Sequence, residues 1–345
     1  MNGQAITVVI DETGDIKKGK KTDSVARQYL VSVGKADNGI VSVNAYGVYH
    51  NITFPLMVKV FKPEGTLKEG DKYKTKIELA SEIITDFIED KFNIELVLAD
   101  SLYGESSQFL RKLDESNLAY VVAIRSNHGV WLPVGQSVRE NKWCKFERTF
   151  SNKKSETRYI RKIIYGKKRV INYWKITNDP ETMPENSTSF VMTNSQGSFK
   201  KTLGNFLYGF RTWVEYGFRQ CKQELGWTDY RFTNFQHIER LWEIIFCVYT
   251  MISLNYPALL ALNKSCQVKT ERQINSHIDF SYHQQWNHEC GWKNVLKNLR
   301  LIVQPLLLFW LIYPWIYIFP NSQLLLGFNH LIAAINQFKS CYVSG

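Results

Sequence analysis

Three carboxylates stand where phosphoryl-transfer chemistry could use them. Ala5 to Ile10 is a run of β-formers that delivers Asp11, within VVIDETG. Ile94 to Ala99 is a second apolar run that delivers Asp100, within VLADSLYG. Both runs read as buried strands. If they belong to one sheet, a strand spacing of about 4.8 Å lets the two carboxylates converge. Close carboxylates repel each other unless a cation lies between them. Mg²⁺ takes oxygen ligands and keeps positions open for water and a substrate phosphate. Two such ions roughly 4 Å apart can stabilise both the attacking and the leaving oxygen. A single Asp in this setting is more simply a cap for the loop or helix that follows it, so a third carboxylate is the discriminating feature.

That third group lies in NFLYGFRTWVEYGFRQCKQEL. Taken as one helix from Phe206 to Leu225 at about 100° per residue, the segment gathers Phe206, Phe210, Trp213, Gly217 and Cys221 into a core stripe. Tyr208, Arg211, Glu215, Arg219 and Lys222 fall on the opposite face. The plain reading of that face is an exposed ladder of i,i+4 ion pairs. A rival site lies in the same opening stretch, where Gly14, four residues, Gly19 and Lys20 imitate a phosphate-cradling P-loop. Lys21 occupies the place of its Mg²⁺-binding hydroxyl, and Ser24 to Val31 reads as a strand where a helix should open. A P-loop-like nucleotide hydrolase is therefore the alternative, kept open by Ile94 to Asp100 as a second motif.

The spacing Tyr208, two residues, Arg211, three residues, Glu215, six residues, Lys222 resembles the Y-R-E-K signature of DDE transposases of bacterial insertion sequences. VVIDETG and VLADSLYG resemble the segments that carry the first and second catalytic Asp of that family. The resemblance covers essentially the whole chain. It implies an α/β, RNase H-like mixed sheet flanked by helices, with a β-rich insertion between the second Asp and the Glu. It implies that Asp11, Asp100 and Glu215 hold two divalent ions, Mg²⁺ or Mn²⁺. The activity implied is DNA strand cleavage followed by strand transfer. Tyr208, Arg211 and Lys222 would grip phosphates near the scissile bond, with Arg suited to bidentate contact. Arg219, Lys17, Lys18, Lys20, Tyr103 and Arg125 are further candidate DNA contacts, and one of Trp131, Trp143 or Trp174 is a candidate for base stacking. The implied partners are double-stranded DNA (element ends and target) and a second copy of the chain in a DNA complex, in the cytoplasm at the nucleoid. Such transposases usually carry a separate DNA-binding region ahead of the first Asp. Asp11 lies almost at the start, so the expectation is a shortened copy that keeps its catalytic constellation without transposing. A non-catalytic DNA-binding remnant is the third reading.

The bulk properties agree with a polyanionic partner. The 345 residues carry a formal charge of +11, which favours nucleic acid or an acidic surface. Lys142 to Lys175 holds twelve Lys/Arg against Glu147 and Glu156, with Trp143, Phe146, Tyr159, Tyr165, Tyr173 and Trp174 interleaved. Aromatic and cationic residues together suit phosphates and unstacked bases. The six cysteines show no CxxC and no zinc-like spacing, which reads as scattered reduced thiols. No secretory signal opens the chain. Leu301 to Phe319 is nearly a membrane span in length and apolarity. Pro305 and Pro314 interrupt it and Pro320 closes it, so broken helices on a soluble core are the expectation, with no membrane partner.

The positioning elements follow from periodicity and turn chemistry. Gln28 to Gly34 and Ile40 to Tyr49 read as a hairpin turning at Asp37-Asn38-Gly39. Phe54 to Phe61 is a strand. Lys74 to Asp90 is a helix with Ile77, Ala80, Ile83, Ile84, Phe87 and Ile88 on one face. Ser106 to Ser116 is a helix and Ala119 to Ile124 a strand. From about Trp131 to Thr193 the pattern is strand-like, with a hairpin near Tyr165-Gly166-Lys167, and His237 to Asn263 is an apolar helix bent or ended near Pro257. The expected organisation is a first part of the RNase H-like core over 1–126, a basic β-rich insertion over 127–197, a second part of the core with the Glu helix over 198–263, and a helical aromatic region over 264–345.

Overall fold

The computed structural model describes residues 3–19, 21–30, 33–49, 52–129, 134–135, 137–149, 155–164, 171–195, 208–265, 283–318 and 321–337. The chain divides into two compact units, Met1–Thr250 and Met251–Gly345.

The first unit is built on one mixed sheet. Its strands are β1 (Ile6–Ile16), β2 (Ala26–Leu30), β3 (Lys35–Tyr49), β4 (Ile52–Phe61), β5 (Ile94–Ala99) and β6 (Tyr120–Ile124), followed by β7 (Arg139–Glu140), β8 (Cys144–Thr149), β9 (Ser155–Ile164), β10 (Asn172–Thr177) and β11 (Ser189–Thr193). β3 lies antiparallel to both β4 and β1, while β5 runs parallel to β1 and to β6. The resulting order β4-β3-β1-β5-β6 is RNase H-like. β11 pairs with β6 and carries β10, β9 and β7 onward, so the basic window prolongs the same sheet. The parallel strands are joined through α1 (Lys76–Glu89), α2 (Ser101–Gly104) and α3 (Ser107–Glu115), as parallel pairs require a crossover. α1 starts at a capping box between Thr75 and Glu78 and buries Leu79, Ala80, Ile83, Ile84 and Phe87 on the core made by Ile6, Val8, Ile10, Val97 and Val122. Ile88 faces out instead, and Leu79 takes the inward place.

Three expectations change. β1 does not stop at Asp11 but runs to Ile16, because Glu12 to Ile16 keep pairing with β3. The P-loop reading falls with this, since Gly14 is a strand residue opposite Val41 and the next described element is another strand. The hairpin does not turn at Asp37-Asn38-Gly39, which lie inside β3. β2 and β3 pair antiparallel instead through the link between Leu30 and Lys35, of which Val33 and Gly34 are described. Gly34 sits at φ +68 there and donates its N–H to Leu30 O. Gly39 is needed for close approach, as a Cβ on it would clash with the Asp15 carbonyl oxygen. The turn near Tyr165 falls outside the described residues, and its strands β9 and β10 pair antiparallel.

α4 (Tyr208–Glu224) and α5 (Phe235–Ser265) follow β11. Pro257 sits inside α5, which continues past it. In the second unit α6 (Trp292–Ile318) runs unbroken through Pro305 and Pro314, and α7 (Ser322–Gln337) follows. Proline bends a helix at the cost of one hydrogen bond and need not end it. By length and composition α6 could cross a membrane, and only 17% of its most apolar window is buried. The expectation that these prolines break the helix does not hold.

Candidate active site

The parallel ladder between β1 and β5 ends at the rung Ile10↔Ala99. Asp11 and Asp100 are each the next residue, so register alone sets them side by side just past the end of that ladder. Asp11 is buried at 8% exposure and Asp100 is half-buried. One oxygen of each is tied to backbone: Asp11 Oδ1 accepts the Glu12 N–H at 2.8 Å, and Asp100 Oδ1 accepts the Leu102 N–H at 2.9 Å. Asp100 thereby caps α2 as well. Side chains alternate along a strand, so Glu12 points to the opposite face and pairs with Lys76 at 2.7 Å. Tyr103, at the end of the same short helix, is fully buried, and its hydroxyl has no hydrogen-bond partner. Burial first, then the charges of Glu12, Asp100 and Asp11, push that hydroxyl well above its ordinary pKa. The carboxylate oxygens of Asp11 and Asp100 are hard donors of the kind that fit Mg²⁺ or Mn²⁺.

Glu215 lies on α4, which packs on β1 and β4 and on the ring of Tyr46 from β3. Gly217 permits the approach, since a Cβ there would stand 3.0 Å from the Tyr46 ring. Phe218 meets the same ring edge-on at 5.2 Å. Val214, Gly217, Phe218 and Cys221 are buried, while Glu215 and Arg219 are exposed. Burial pushes the Cys221 thiol up to about 12, so it is a packing group and not a nucleophile. The structure brings Asp11 and Asp100 together but does not bring Glu215 into a cluster with them. Among the described residues no three His, Cys, Asp or Glu side chains form a metal-sized group.

The remaining candidates separate by exposure. Lys18 is exposed. Arg125 is exposed too, and its backbone N–H and guanidinium both meet Glu105, which also holds His128. Tyr103 is corrected: its ring packs on Phe109 inside the core and is closed to DNA. Lys17 is half-buried over the Tyr230 ring, 3.6 Å from its centroid, with Thr228 O 3.4 Å away. Burial lowers its pKa, partly offset by Asp15 and Asp229. Lys222 is engaged by β1 at Thr13, Gly14 and Asp15. Lys20, Trp131 and the side chains of Tyr208 and Arg211 lie outside the described residues. Trp143 stacks under the Arg161 guanidinium and Trp174 lies near Lys162. Sequence reasoning missed Thr13 and Asp15. Their signal was the alternation 11, 13, 15, which puts all three on one face of β1.

Two comparisons with known proteins bear on this arrangement. Residues 1–145 match the DDE superfamily endonucleases. The matched span includes Asp11 and Asp100 and ends before Glu215. A probable transposase for insertion sequence element IS701 from Microchaete diplosiphon is 51% identical over 242 residues, which is 70% of this chain. The chain spans 63% of that relative's length. Both findings support the resemblance to a DDE transposase of an insertion sequence, and neither supports a nucleotide hydrolase or a non-catalytic remnant.

Proposed function

We propose that the chain is the catalytic part of a DDE transposase, which cleaves DNA at the ends of an insertion sequence and transfers the freed strand. The observation that carries this reading is the adjacency of Asp11 and Asp100 at the end of the β1/β5 ladder, inside a stretch similar to DDE endonucleases. Asp11 and Asp100 would hold divalent ions, two in the full site, with Glu215 as the third ligand. Such ions supply charge neutralisation at the phosphate and acidify a bound water.

The position of Glu215 supports its role despite the open geometry. Lys222 fixes the last turn of α4 to β1 at residues 13–15, and Gly217 meets Tyr46, which pairs with Val9. The helix therefore runs toward lower-numbered β1 residues as its own numbers fall. Glu215 lies seven residues before Lys222, about 10.5 Å along the axis at 1.5 Å per residue. It is turned only about 20° from the same face, on the Asp11 side. Backbone N–H groups orient Asp11 and Asp100, and exposed Arg219 and Lys18 supply cations for flanking phosphates. Tyr208 and Arg211, two turns and one turn before Glu215 in sequence, would contact further phosphates. The partners are double-stranded DNA and a second copy of the chain, and the setting is the nucleoid in the cytoplasm.

The test is nicking of a duplex carrying element ends in Mg²⁺ or Mn²⁺. Wild-type protein should nick, and Asp11→Asn, Asp100→Asn and Glu215→Gln should each fail with DNA binding retained. Unimpaired nicking by Glu215→Gln would overturn the assignment.

A further inference from the structure

The loop between α4 and α5, residues 226–234, carries an exposed ring with a rigid backing. Trp227 and Trp242, both 1% exposed, stack at 4.4 Å inside the first unit. Trp242 meets Tyr230 edge-on at 6.2 Å, and Tyr230 stacks on Phe232 at 5.8 Å. Phe232 is the outer end of this pile and is 44% exposed. The stretch that follows β1 is tied to the same loop. The Asp23 N–H donates to Thr233 O at 2.8 Å, and the Lys17 ammonium lies 3.6 Å over the Tyr230 ring. Residues 17–23 and 226–234 together hold five Lys/Arg against Asp23 and Asp229, and Asp23 is already paired with Lys68. Lys18, Lys21 and Arg231 are exposed. A lone exposed phenylalanine is ordinary on a protein surface. A ring held from behind and set among cations is the combination that meets nucleic acid.

We infer that this ledge is a DNA contact separate from the cleavage site, and that it holds the duplex about six base pairs from the scissile phosphate. The inference rests on the active-site reading above and adds to it the path of the duplex. Two elements lead from the site to the ledge. Lys17 continues the alternation of Asp11, Thr13 and Asp15, and its N–H still donates to β3, at Asn38 O, 3.0 Å away. Six residues at about 3.4 Å each put Lys17 about 20 Å from Asp11. α4 runs beside β1 in the same sense, past exposed Arg219, and delivers the loop. A duplex rises about 3.4 Å per base pair, so 20 Å spans about six pairs. On the ledge Lys18, Lys21 and Arg231 meet phosphates, Arg231 with a fork that suits two oxygens. Phe232 closes on the adjoining sugars and excludes water from them. Lys17 braces the loop from below, over Tyr230 and 3.4 Å from Thr228 O.

The test uses the full chain, without metal, on a duplex carrying an element end. The variants are Arg231→Gln, the double variant Lys21→Gln/Arg231→Gln, Phe232→Ala and Phe232→Trp. Anisotropy across salt concentrations should show the slope of log affinity against log salt falling by about one in Arg231→Gln and about two in the double variant. Phe232→Ala should bind severalfold more weakly with the wild-type slope, because an apolar contact releases no counterions, and Phe232→Trp should keep the affinity. Phosphate-ethylation interference locates the contact. In wild type it should mark phosphates about six nucleotides from the scissile bond. The double variant should lose those marks and keep the ones beside the scissile bond. Wild-type affinity and slope in the double variant would overturn the ledge. So would an unchanged interference pattern, or a loss of marks at the scissile bond together with those on the ledge. Failure of the active-site reading is separable: Glu215→Gln would then nick like wild type, while the metal-free binding result would stand.

Discussion

Gly104 offers a sharp test of how the second aspartate is held. It ends α2, four residues after Asp100, and its N–H donates to Asp100 O at 2.8 Å. A Cβ there would meet the Ala123 carbonyl and stand 3.1 Å from Val122 Cβ. Neither neighbour can step aside, because Val122 and Ala123 are paired with β11, and Val122 with Ala99 as well. That Cβ would overlap the Ala123 carbonyl oxygen, so in Gly104→Ala the helix must retreat, by on the order of 1 Å. The retreat passes directly to Asp100 through one hydrogen bond. Overpacking of this sort costs about 1–3 kcal/mol, and a misplacement near 1 Å can cost about 10²-fold in rate. Urea unfolding and Mn²⁺-dependent nicking should therefore both report the change, with the rate falling further than stability alone explains. Wild-type stability together with wild-type nicking would refute the reasoning, since no relaxation could then have reached Asp100.

Other consequences follow from the same structure. Asp23 accepts the Phe235 N–H at 2.9 Å at the start of α5 and pairs with Lys68 at 2.8 Å. The Lys68 hydrogen bond, chiefly, holds its carboxyl below the ordinary 3.8. Its contribution is thus present above that value and lost as pH falls below it, so Asp23→Asn should flatten the acid limb of a stability–pH curve. Trp227 is buried and stacked on Trp242 at 4.4 Å, and its carbonyl accepts the Trp242 indole N–H at 3.2 Å. Trp227→Ala should cost about 3–5 kcal/mol in urea unfolding. Lys18→Gln and Arg219→Gln should each weaken metal-free DNA binding and reduce the salt slope by about one, measured by anisotropy across salt concentrations.

Much of the framework was legible in the sequence because local and global signals agreed. Ile94–Ala99 came out with its boundaries intact, since an apolar run bounded by polar residues has one way to lie in a covered parallel sheet. The Thr75–Glu78 capping box opens a helix that periodicity also finds. What escaped was set by tertiary contact. Asp37-Asn38-Gly39 has turn chemistry, yet β1 and β2 hold it in β3 and the reversal goes to Gly34. The lysines showed the same blindness: charge alone gave no means to tell Lys18, which is exposed, from Lys17 over Tyr230 or Lys222 on Asp15. Tyr103 was misjudged for the reverse reason, as a polar tip near an active aspartate need not be at the surface.

The central claim is that Asp11, Asp100 and Glu215 share divalent ions, and anomalous diffraction from Mn²⁺-soaked crystals tests it most directly. The account predicts a peak between the Asp11 and Asp100 carboxylates, with a Glu215 oxygen within about 2.1 Å of a metal. Mn²⁺ bound elsewhere, or Glu215 remaining on the order of 10 Å from the two aspartates with metal in place, would contradict it.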